Sequence, residues 1–286
     1  MNIVELHNVT KEYKGFSLSD INLKIPKGYI MGLIGPNGAG KTTLINIIMN
    51  NTLPNKGEVR IFDRLYKENE IQIKENIGFV YDDIGLYGDE KLKVLKKIVA
   101  PFYSQWDESK FQRYIKQFDL PLNKKLKELS KGMKMKFSLA LALSHNADLL
   151  ILDEPTSGLD PVFRREFLDL LREILMNENK TILISSHITS ELDQIADYVT
   201  FINRGKIIIN GDKDSVIDSY FVLKGPASKS QDPIIQKLII GMRSTDTGFE
   251  GLIKRENLEG LGVTSEFVLE KPNLEDILFY YDKVVK

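Results

Sequence analysis

At positions 35 to 42 the chain reads Gly35-Pro36-Asn37-Gly38-Ala39-Gly40-Lys41-Thr42, a glycine-rich stretch closed by a lysine and a hydroxyl. Apolar residues 29–34 precede it and the helix-compatible run 43–49 follows, so a strand, a loop and a helix are predicted in that order. Glycines let successive backbone N–H groups face phosphate oxygens, and the helix N-terminus adds partial positive charge. Lys41 is expected to reach the β- and γ-phosphates, and Thr42 to ligate Mg²⁺. The stretch therefore predicts a nucleoside triphosphate site.

An acidic pair marks a second motif. Asp153 and Glu154 come directly after the apolar run 149–152. In a parallel sheet, ligands bind beyond the carboxyl ends of the strands. There, Asp153 is suited to hold Mg²⁺, mostly through water, and Glu154 to polarise a water molecule that attacks the γ-phosphorus. The alternative is a strand end that is merely acidic and solvated, and the phosphate loop in the same chain weakens it.

A second anion site is predicted where residues 129–133, Leu-Ser-Lys-Gly-Met, lead into a helix. Ser130 is a good N-cap, and a serine with a glycine, here Gly132, at a helix start can bind an anion. A nucleotide that is already held by its own phosphate loop has no need of this site. We therefore expect Ser130 and Gly132 to serve the nucleotide of another subunit.

The spacing of apolar residues predicts an α/β organisation. Strands are predicted at residues 3–6, 18–25, 57–62, 77–81, 149–152, 181–184, 198–202 and 207–210. Helices are predicted between about 90 and 118, with Pro101 kinking or separating them, near 161–177 and near 189–196. Strands separated by helices after residue 145 indicate a parallel sheet with crossover connections.

The tail beyond about residue 215 carries no recognisable chemistry. Strand-like segments at 220–223 and 266–269 enclose mixed sequence with a predicted loop at 228–233. Asn273 is a sensible helix cap with Asp276 at the third helical position. We interpret the tail as a small α+β appendage.

Composition restricts the function classes. Lys and Arg total 39 against 40 for Asp and Glu, so net charge gives no support for nucleic-acid binding. The chain has no cysteine, which excludes disulfides, thiol catalysis and cysteine-ligated metal. No segment approaches the roughly 20 apolar residues of a membrane helix, and the N-terminus lacks the features of a signal peptide. We expect a cytosolic chain whose membrane role comes through a partner.

Over about residues 1–215 the chain resembles the nucleotide-binding subunits of ABC transporters. The phosphate loop (Walker A), the 129–133 signature, the 149–154 segment (Walker B), the D-loop at 157–160 and the switch histidine His187 follow one another in the family's order. The resemblance implies the P-loop NTPase fold of ABC ATPases: a mixed sheet core, an antiparallel β subdomain and a helical subdomain at about 85–145. Residues 216–286 are then a small accessory domain.

The resemblance also implies a site shared by two chains that pack head to tail, with ATP and Mg²⁺ as cofactors. It places Tyr13 on the adenine, with a strand-edge core tyrosine as the alternative. It places His187 on the γ-phosphate, although a lone histidine is more often structural. It assigns other nucleotide contacts to Gly35, Asn37, Gly38, Ala39, Gly40, Lys41, Thr42, Thr43, Ser130, Gly132 and Asp160. Catalytic roles fall to Glu154, His187 and Asp82, and metal ligation to Thr42, Asp153 and Asp82.

Three positions depart from the family pattern. Asp82 and Met133 stand where glutamine is usual, and Lys131 stands where glycine is usual. A carboxylate at position 82 can ligate Mg²⁺ but cannot donate a hydrogen bond. Lys131 could offset that charge near the partner's nucleotide, and the alternative is a solvated lysine at a helix entrance. These departures are similar to those of ABC-2 exporters for bacitracin-like or phenol-soluble-modulin peptides.

The expected function is ATP hydrolysis that drives export through a separate polytopic membrane permease, with amphipathic or antimicrobial peptides as cargo. The second nucleotide-binding subunit is an identical or a different chain, and the pair lies on the inner face of the membrane. The alternative is an ABC ATPase that acts on the ribosome or on DNA. DNA-repair members need a long coiled-coil insertion, and translation-associated members carry two cassettes. Neither feature occurs in this sequence, and no nucleic-acid partner is expected.

Overall fold

The computed structural model describes residues 1–80, 88–178, 180–261 and 266–284, and its strands form three sheets. In chain order the strands are β1 (Asn2–Tyr13), β2 (Phe16–Pro26), β3 (Ile30–Ile34), β4 (Lys56–Ile61), β5 (Arg64–Leu65), β6 (Ile77–Val80), β7 (Leu149–Asp153), β8 (Thr181–Ser186), β9 (Tyr198–Asn203), β10 (Lys206–Asp212), β11 (Tyr220–Pro226), β12 (Ile239–Ser244), β13 (Gly248–Lys254) and β14 (Val268–Glu270).

The helices connect these strands and cover the sheets. In chain order they are α1 (Lys41–Ile48), α2 (Tyr66–Glu75), α3 (Leu92–Val99), α4 (Glu108–Gln117), α5 (Lys131–Leu143), α6 (Pro161–Glu178), α7 (Thr189–Ile195), α8 (Lys213–Asp218), α9 (Pro233–Leu238), α10 (Leu258–Leu261) and α11 (Leu274–Val284). Pro101 lies in a short 3₁₀ turn, Ala100–Phe102, so the predicted separation of helices at this proline is confirmed.

The central sheet has six strands in the order β10-β9-β3-β8-β7-β6. β9, β3, β8, β7 and β6 run parallel to one another, and β10 at the edge pairs antiparallel with β9. Ile34 lies opposite Ser186, and Asp153 lies opposite Ser185. The carboxyl ends of β3, β7 and β8 therefore meet at one edge of the sheet, where the sequence places the phosphate loop, the acidic pair and His187. The predicted parallel sheet is confirmed.

An antiparallel sheet in the order β2-β1-β4-β5 packs beside the central sheet. A hydrophobic cluster joins the two, and it includes Leu44 and Ile48 of α1, Leu6 of β1 and Leu183 of β8. This burial holds α1 at the end of the phosphate loop. Burying such a side chain contributes roughly 1.5–3 kcal/mol, so the position of α1 is set by the two sheets rather than by its own eight residues.

The C-terminal strands form a third, antiparallel sheet in the order β12-β13-β11-β14. Two of these strands are predicted from the sequence, whereas β12 and β13 are missed. β12 has no buried residue, and β13 contains two glycines, which weaken a strand pattern. The predicted loop at 228–233 is wrong in part, since a 3₁₀ turn spans Ala227–Lys229 and α9 begins at Pro233. Helix α2 is also missed: only Tyr66 and Ile73 of its residues are buried, which leaves little periodic signal.

Helix α11 ties the tail to the rest of the chain. Its buried residues Leu274, Ile277 and Tyr280 belong to the same hydrophobic cluster as Ile34 and Leu150 of the central sheet. The predicted cap is confirmed, because Asp276 donates its backbone N–H to Asn273 Oδ1 at 2.8 Å and accepts the backbone N–H of Asn273 at 3.0 Å. The appendage therefore shares the core of the central sheet.

Candidate functional site

The loop between β3 and α1 has the backbone geometry of an anion cradle. Gly38 and Gly40 have φ angles of 79° and 112°, in the left-handed region that favours glycine. A Cβ on Gly40 would lie 2.6 Å from Leu18 Cδ2, so there is no room for a side chain. Helix α1 has no side chain that caps its first N–H groups and no acid in its first turn. Those groups and the helix dipole are available to a phosphate.

The turn of the β9–β10 hairpin contacts this loop. Gly205 donates its backbone N–H to the carbonyl of Ala39 at 2.9 Å, and a Cβ on Gly35 would lie 2.2 Å from the carbonyl oxygen of Ile202. Ala39 in turn donates to the carbonyl of Pro36 at 3.1 Å. The sequence predicts the two strands of this hairpin, at 198–202 and 207–210, but not the link between the hairpin and the phosphate loop. The link arises because β9 lies next to β3 in the central sheet.

Lys41, Glu154 and His187 come together at the edge of the sheet. Lys41 Nζ donates to the carbonyls of Gly35 at 2.7 Å and Pro36 at 3.2 Å, and it lies 3.1 Å from Glu154 Oε1. Glu154 Oε2 is 2.6 Å from His187 Nδ1. Lys41 is 6% exposed, so the contact with Glu154 is largely removed from water. Three residues that the sequence singles out from separate segments therefore form one cluster.

One oxygen of this cluster has unused hydrogen-bonding capacity. Glu154 Oε1 is buried and makes no hydrogen bond within the described residues, since its contact with Lys41 has the distance of an ion pair but not hydrogen-bond geometry. A buried carboxylate oxygen without a donor is unfavourable unless a ligand or water completes it. The oxygen is therefore suited to accept a hydrogen bond from a water molecule at this edge.

The backbone of Glu154 is held in an unusual conformation. Its φ angle is 49°, which costs a non-glycine residue about 1–3 kcal/mol. Its N–H donates to Ser185 Oγ at 2.9 Å, and Ser185 Oγ donates to Asp153 Oδ1 at 2.6 Å. Ser185 thus fixes both members of the acidic pair from the neighbouring strand. Sequence reasoning assigns Ser185 no role, because the contact depends on the pairing of β7 with β8.

The oxygen donors for a metal are few. Thr42 is exposed in the first turn of α1, and Asp153 is half-buried at the end of β7. Residues 1–80, 88–178, 180–261 and 266–284 contain no group of three or more His, Asp or Glu side chains that could together hold a metal ion. Mg²⁺ commonly binds one or two protein oxygens together with phosphate and water, so Thr42 and Asp153 fit it. Asp82 lies outside the described residues.

Tyr13 lies at the same opening as the phosphate loop. It ends β1, is 48% exposed, and lines an open cleft together with Gly38 and Arg204. Lys11 Nζ lies 5.4 Å from the centroid of the Tyr13 ring. The ring is therefore not part of the core, and it is placed to contact a planar ligand in the cleft. Arg204, in the β9–β10 turn, is not identified from the sequence.

The second predicted anion site lies on α5. Ser130 is the N-cap of this helix and accepts a hydrogen bond from the backbone N–H of Met133 at 3.2 Å. Gly132 packs against the Phe163 ring, which a Cβ would approach to 2.8 Å. None of the hydrogen bonds or ion pairs in the described parts of the chain joins Ser130 or Gly132 to the phosphate loop.

Two further predicted residues lie around the D-loop. Asp160 accepts the backbone N–H groups of Val162 at 3.1 Å and Phe163 at 3.0 Å, so one oxygen of its carboxylate caps the start of α6. Lys131 lies over Gly158, since a Cβ on that glycine would be 3.4 Å from Lys131 Nζ. Asp160 therefore holds the entrance of α6, and Lys131 reaches the D-loop from the start of α5.

Comparison with known proteins gives consistent results. The profile of the ABC transporter family matches residues 18–157. The bacitracin transport ATP-binding protein BcrA of Enterococcus faecalis is 35% identical over 213 residues, which cover 72% of this chain and 68% of that protein. The lantibiotic transport ATP-binding protein SrtF of Streptococcus pyogenes is 34% identical over 215 residues, which cover 74% of this chain and 92% of that protein.

Solved structures share the fold. The ATP-binding subunit of an ABC transporter matches with a TM-score of 0.66 at 25% identity, over 75% of this chain and 91% of that one. A dimeric bacterial ABC transporter cassette matches with a TM-score of 0.64 at 25% identity, over 73% of this chain and 98% of that one. No described helix has the length and apolar character needed to span a membrane. The chain therefore belongs to the ABC transporter family, in which it is an ATP-binding subunit that hydrolyses ATP.

Proposed function

We propose that this chain is the ATPase subunit of an exporter, in which ATP binding closes a dimer and hydrolysis resets it. The observation that supports this proposal is that the predicted site residues lie in two separate groups. Lys41, Glu154 and His187 form one cluster, whereas Ser130 and Gly132 lie on α5 and, among the described residues, have no hydrogen bond to it. Two chains arranged head to tail would complete each site with the α5 N-terminus of the partner. A related solved cassette is a dimer.

The proposed site uses the phosphate loop of one chain and the signature of the other. Tyr13 stacks on the adenine. Phosphate contacts come from Gly35, Asn37, Gly38, Ala39, Gly40, Lys41, Thr42 and Thr43. Ser130, Gly132 and Asp160 face the partner's nucleotide. Thr42 and Asp153, with Asp82, would hold Mg²⁺, which neutralises the developing phosphate charge when bound.

Glu154 is proposed as the general base. Its ion pair with Lys41 at 3.1 Å balances two charges that ATP would separate, because phosphate oxygens are the stronger partners of Lys41. Release from Lys41 leaves Glu154 Oε1 able to accept a proton from water. His187, held at 2.6 Å from Glu154 Oε2, orients the carboxylate and reaches the γ-phosphate.

Because Lys41 contacts phosphate oxygens in this scheme, Lys41→Ala should weaken nucleotide binding at least about tenfold in a calorimetric titration.

The permease is proposed to dock beside α3. A cavity of about 330 Å³ lies between the central sheet and the helical segment, with Val99, Tyr103 and His145 in its wall. Next to it, Ile98 is 41% exposed and Phe102 is 75% exposed. Exposed apolar side chains at the rim of a cavity are typical of a protein interaction site. Docking there would hold the chain at the inner face of the membrane.

The proposed cargo is an amphipathic or antimicrobial peptide. It is suggested by two relatives whose names specify bacitracin and lantibiotic transport. We also propose a domain boundary near residue 215, since the third sheet begins only at Tyr220. The alternative, an ATPase acting on the ribosome or DNA, is not favoured. Helices α3, α4 and α5 span 8, 10 and 13 residues, which is too short for the coiled coil of the DNA-acting members.

Affinity purification from detergent-solubilised membranes tests the proposal. A polytopic membrane protein should co-purify with the chain, and neither ribosomes nor DNA should stimulate its ATPase activity. Substituting Phe102→Ser should reduce the recovered membrane protein and leave the ATPase activity of the isolated chain unchanged. Recovery of ribosomes or DNA without a membrane partner, or stimulation by either, would contradict the export function.

A further inference from the structure

Glu191 is a buried carboxylate in the first turn of α7 that the reaction scheme above does not use. Its side chain is 3% exposed. Oε2 accepts hydrogen bonds from Thr156 Oγ1 at 2.7 Å and from Ser186 Oγ at 2.9 Å, and Oε1 lies 3.2 Å from Arg164 Nε. A carboxylate is buried in this way only when it is paired and hydrogen-bonded. One side chain thus joins the ends of three segments.

These three segments carry the residues of the site. Thr156 stands two residues after Glu154, and Ser186 directly precedes His187. Arg164 lies in the first turn of α6, and its guanidinium also donates to the carbonyl of Leu159 at 3.3 Å. Thr156 and Arg164 therefore bracket the D-loop, residues 157–160, and both contact the same carboxylate. Ser186 and Glu191 bracket His187 in the same way.

The contacts of Glu191 differ in kind. The two hydroxyl groups, on residues that are each 1% exposed, form hydrogen bonds of ordinary length. The Arg164 contact has the distance of an ion pair, but neither Arg164 Nε nor Glu191 Oε1 has a hydrogen bond in the described structure. A charge–charge contact tolerates displacement better than a directional hydrogen bond. Of the three contacts of Glu191, the one with Arg164 at the start of α6 therefore tolerates displacement best.

We propose that Glu191 is a positioning residue that couples the placement of His187 to the placement of the D-loop. A displacement of His187 by the γ-phosphate is carried through Ser186 and Glu191 to Thr156 and Arg164. This inference rests on the proposed function, in which His187 faces the chain's own nucleotide and the D-loop faces the second subunit. Glu191 then lets each site influence the other.

The test compares Glu191→Gln with a matched control. The amide oxygen of the introduced glutamine can still accept from both hydroxyls, whereas its NH₂ group would face the guanidinium of Arg164, so only the link to α6 is lost. Glu166→Gln removes an exposed carboxylate from α6 and touches none of these groups. Melting temperature, ATP affinity and steady-state ATP hydrolysis are measured for both variants and the wild type.

We expect Glu191→Gln to lower kcat about ten- to a hundredfold, because small misplacement of reacting groups is costly. KM and ATP affinity should stay within about twofold of wild type, the signature of an interaction used in the transition state. Glu166→Gln should match the wild type. A Glu191→Gln protein with wild-type kcat would overturn the inference. A Glu154→Gln protein that binds ATP and Mg²⁺ without dimerising would instead contradict the proposed function.

A second pair of variants keeps the inference testable if Glu191→Gln does not fold. Thr156→Val removes one hydroxyl at nearly constant shape, and Arg164→Lys keeps the charge but loses the guanidinium geometry. If both act through Glu191, their effects on ln kcat are non-additive in the double variant. Additive effects would show that the two residues act separately, and this would overturn the proposed link.

Discussion

At the scale of single residues, the site is balanced by charge pairs that ATP would rearrange. Lys41 is held by two backbone carbonyls and by Glu154, and Glu154 is held by Lys41 and His187. Each contact gives a partly buried charged group a partner in place of water. The Lys41 side chain is therefore already ordered before a phosphate reaches it, which reduces the entropy lost on binding.

Glu154→Gln should retain ATP binding and abolish turnover. The amide keeps the shape of the side chain but cannot accept the proton of the attacking water, and loss of a general base lowers rates by about 10²–10⁴-fold. Phosphate release should be measured alongside ATP affinity, with the exposed-residue variant Glu166→Gln as control. A Glu154→Gln protein that hydrolyses ATP at near wild-type rate would refute the base assignment.

Gly40→Ala should destabilise the fold more than Gly38→Ala. Both residues have positive φ angles, so both substitutions strain the backbone. Only at Gly40 would the new Cβ meet neighbours, at 2.6 Å from Leu18 Cδ2 and 2.9 Å from Phe16 Cζ. The difference in free energy of unfolding should be about 1–3 kcal/mol by urea denaturation. Equal losses for the two variants would mean that β2 yields to the extra methyl group.

At the scale of elements, the helical segment is fixed to the central sheet partly through a buried histidine. His145 follows α5, is 2% exposed, and stacks on Tyr103 with ring centroids 3.7 Å apart. Its Nδ1 lies 3.1 Å from the carbonyl oxygen of Glu75, so Nδ1–H of the neutral ring donates a hydrogen bond to that oxygen. Burial lowers the pKa of His145 to about 4.

Acidification should therefore loosen this packing between pH 6.5 and 4. Unfolded His145 titrates near 6.5 and the folded residue near 4, so in this range the unfolded state binds the extra proton. This group lowers the free energy of unfolding by at most about 1.4 kcal/mol per pH unit as the pH falls, and contributes little slope well above its unfolded pKa. Urea denaturation at about pH 7, 6 and 5 should show a shallower dependence for His145→Phe. Equal slopes would contradict the assignment.

The elements also show what sequence could and could not predict. The phosphate loop was predictable because its backbone angles require glycine and its chemistry requires a lysine and a hydroxyl. The cap at Asn273 was predictable because its partner is three residues away. Helix α2 and strand β12 were not predictable, because they bury too few residues to show a period, and strand β13 was not, because its glycines weaken the strand pattern.

At the scale of the whole molecule, the unpredicted contacts are those made by sheet topology. Ser185 supports the acidic pair from 32 residues away, and Glu191 reaches Thr156 across 35 residues. Nothing local in the sequence marks such pairs. The accessory sheet is likewise joined to the central sheet through α11, because the buried residues of α11 lie in one hydrophobic cluster with residues of β3 and β7.

Division of the catalytic site between two chains is the central claim, and the mass of the Glu154→Gln protein in solution tests it most directly. Gel filtration with light scattering should give the mass of one chain without nucleotide and twice that mass with ATP and Mg²⁺. The control variant Lys41→Ala/Glu154→Gln should remain at the single mass under both conditions, because it lacks the phosphate contact. A Glu154→Gln protein that binds ATP and Mg²⁺ but stays monomeric would contradict the shared site.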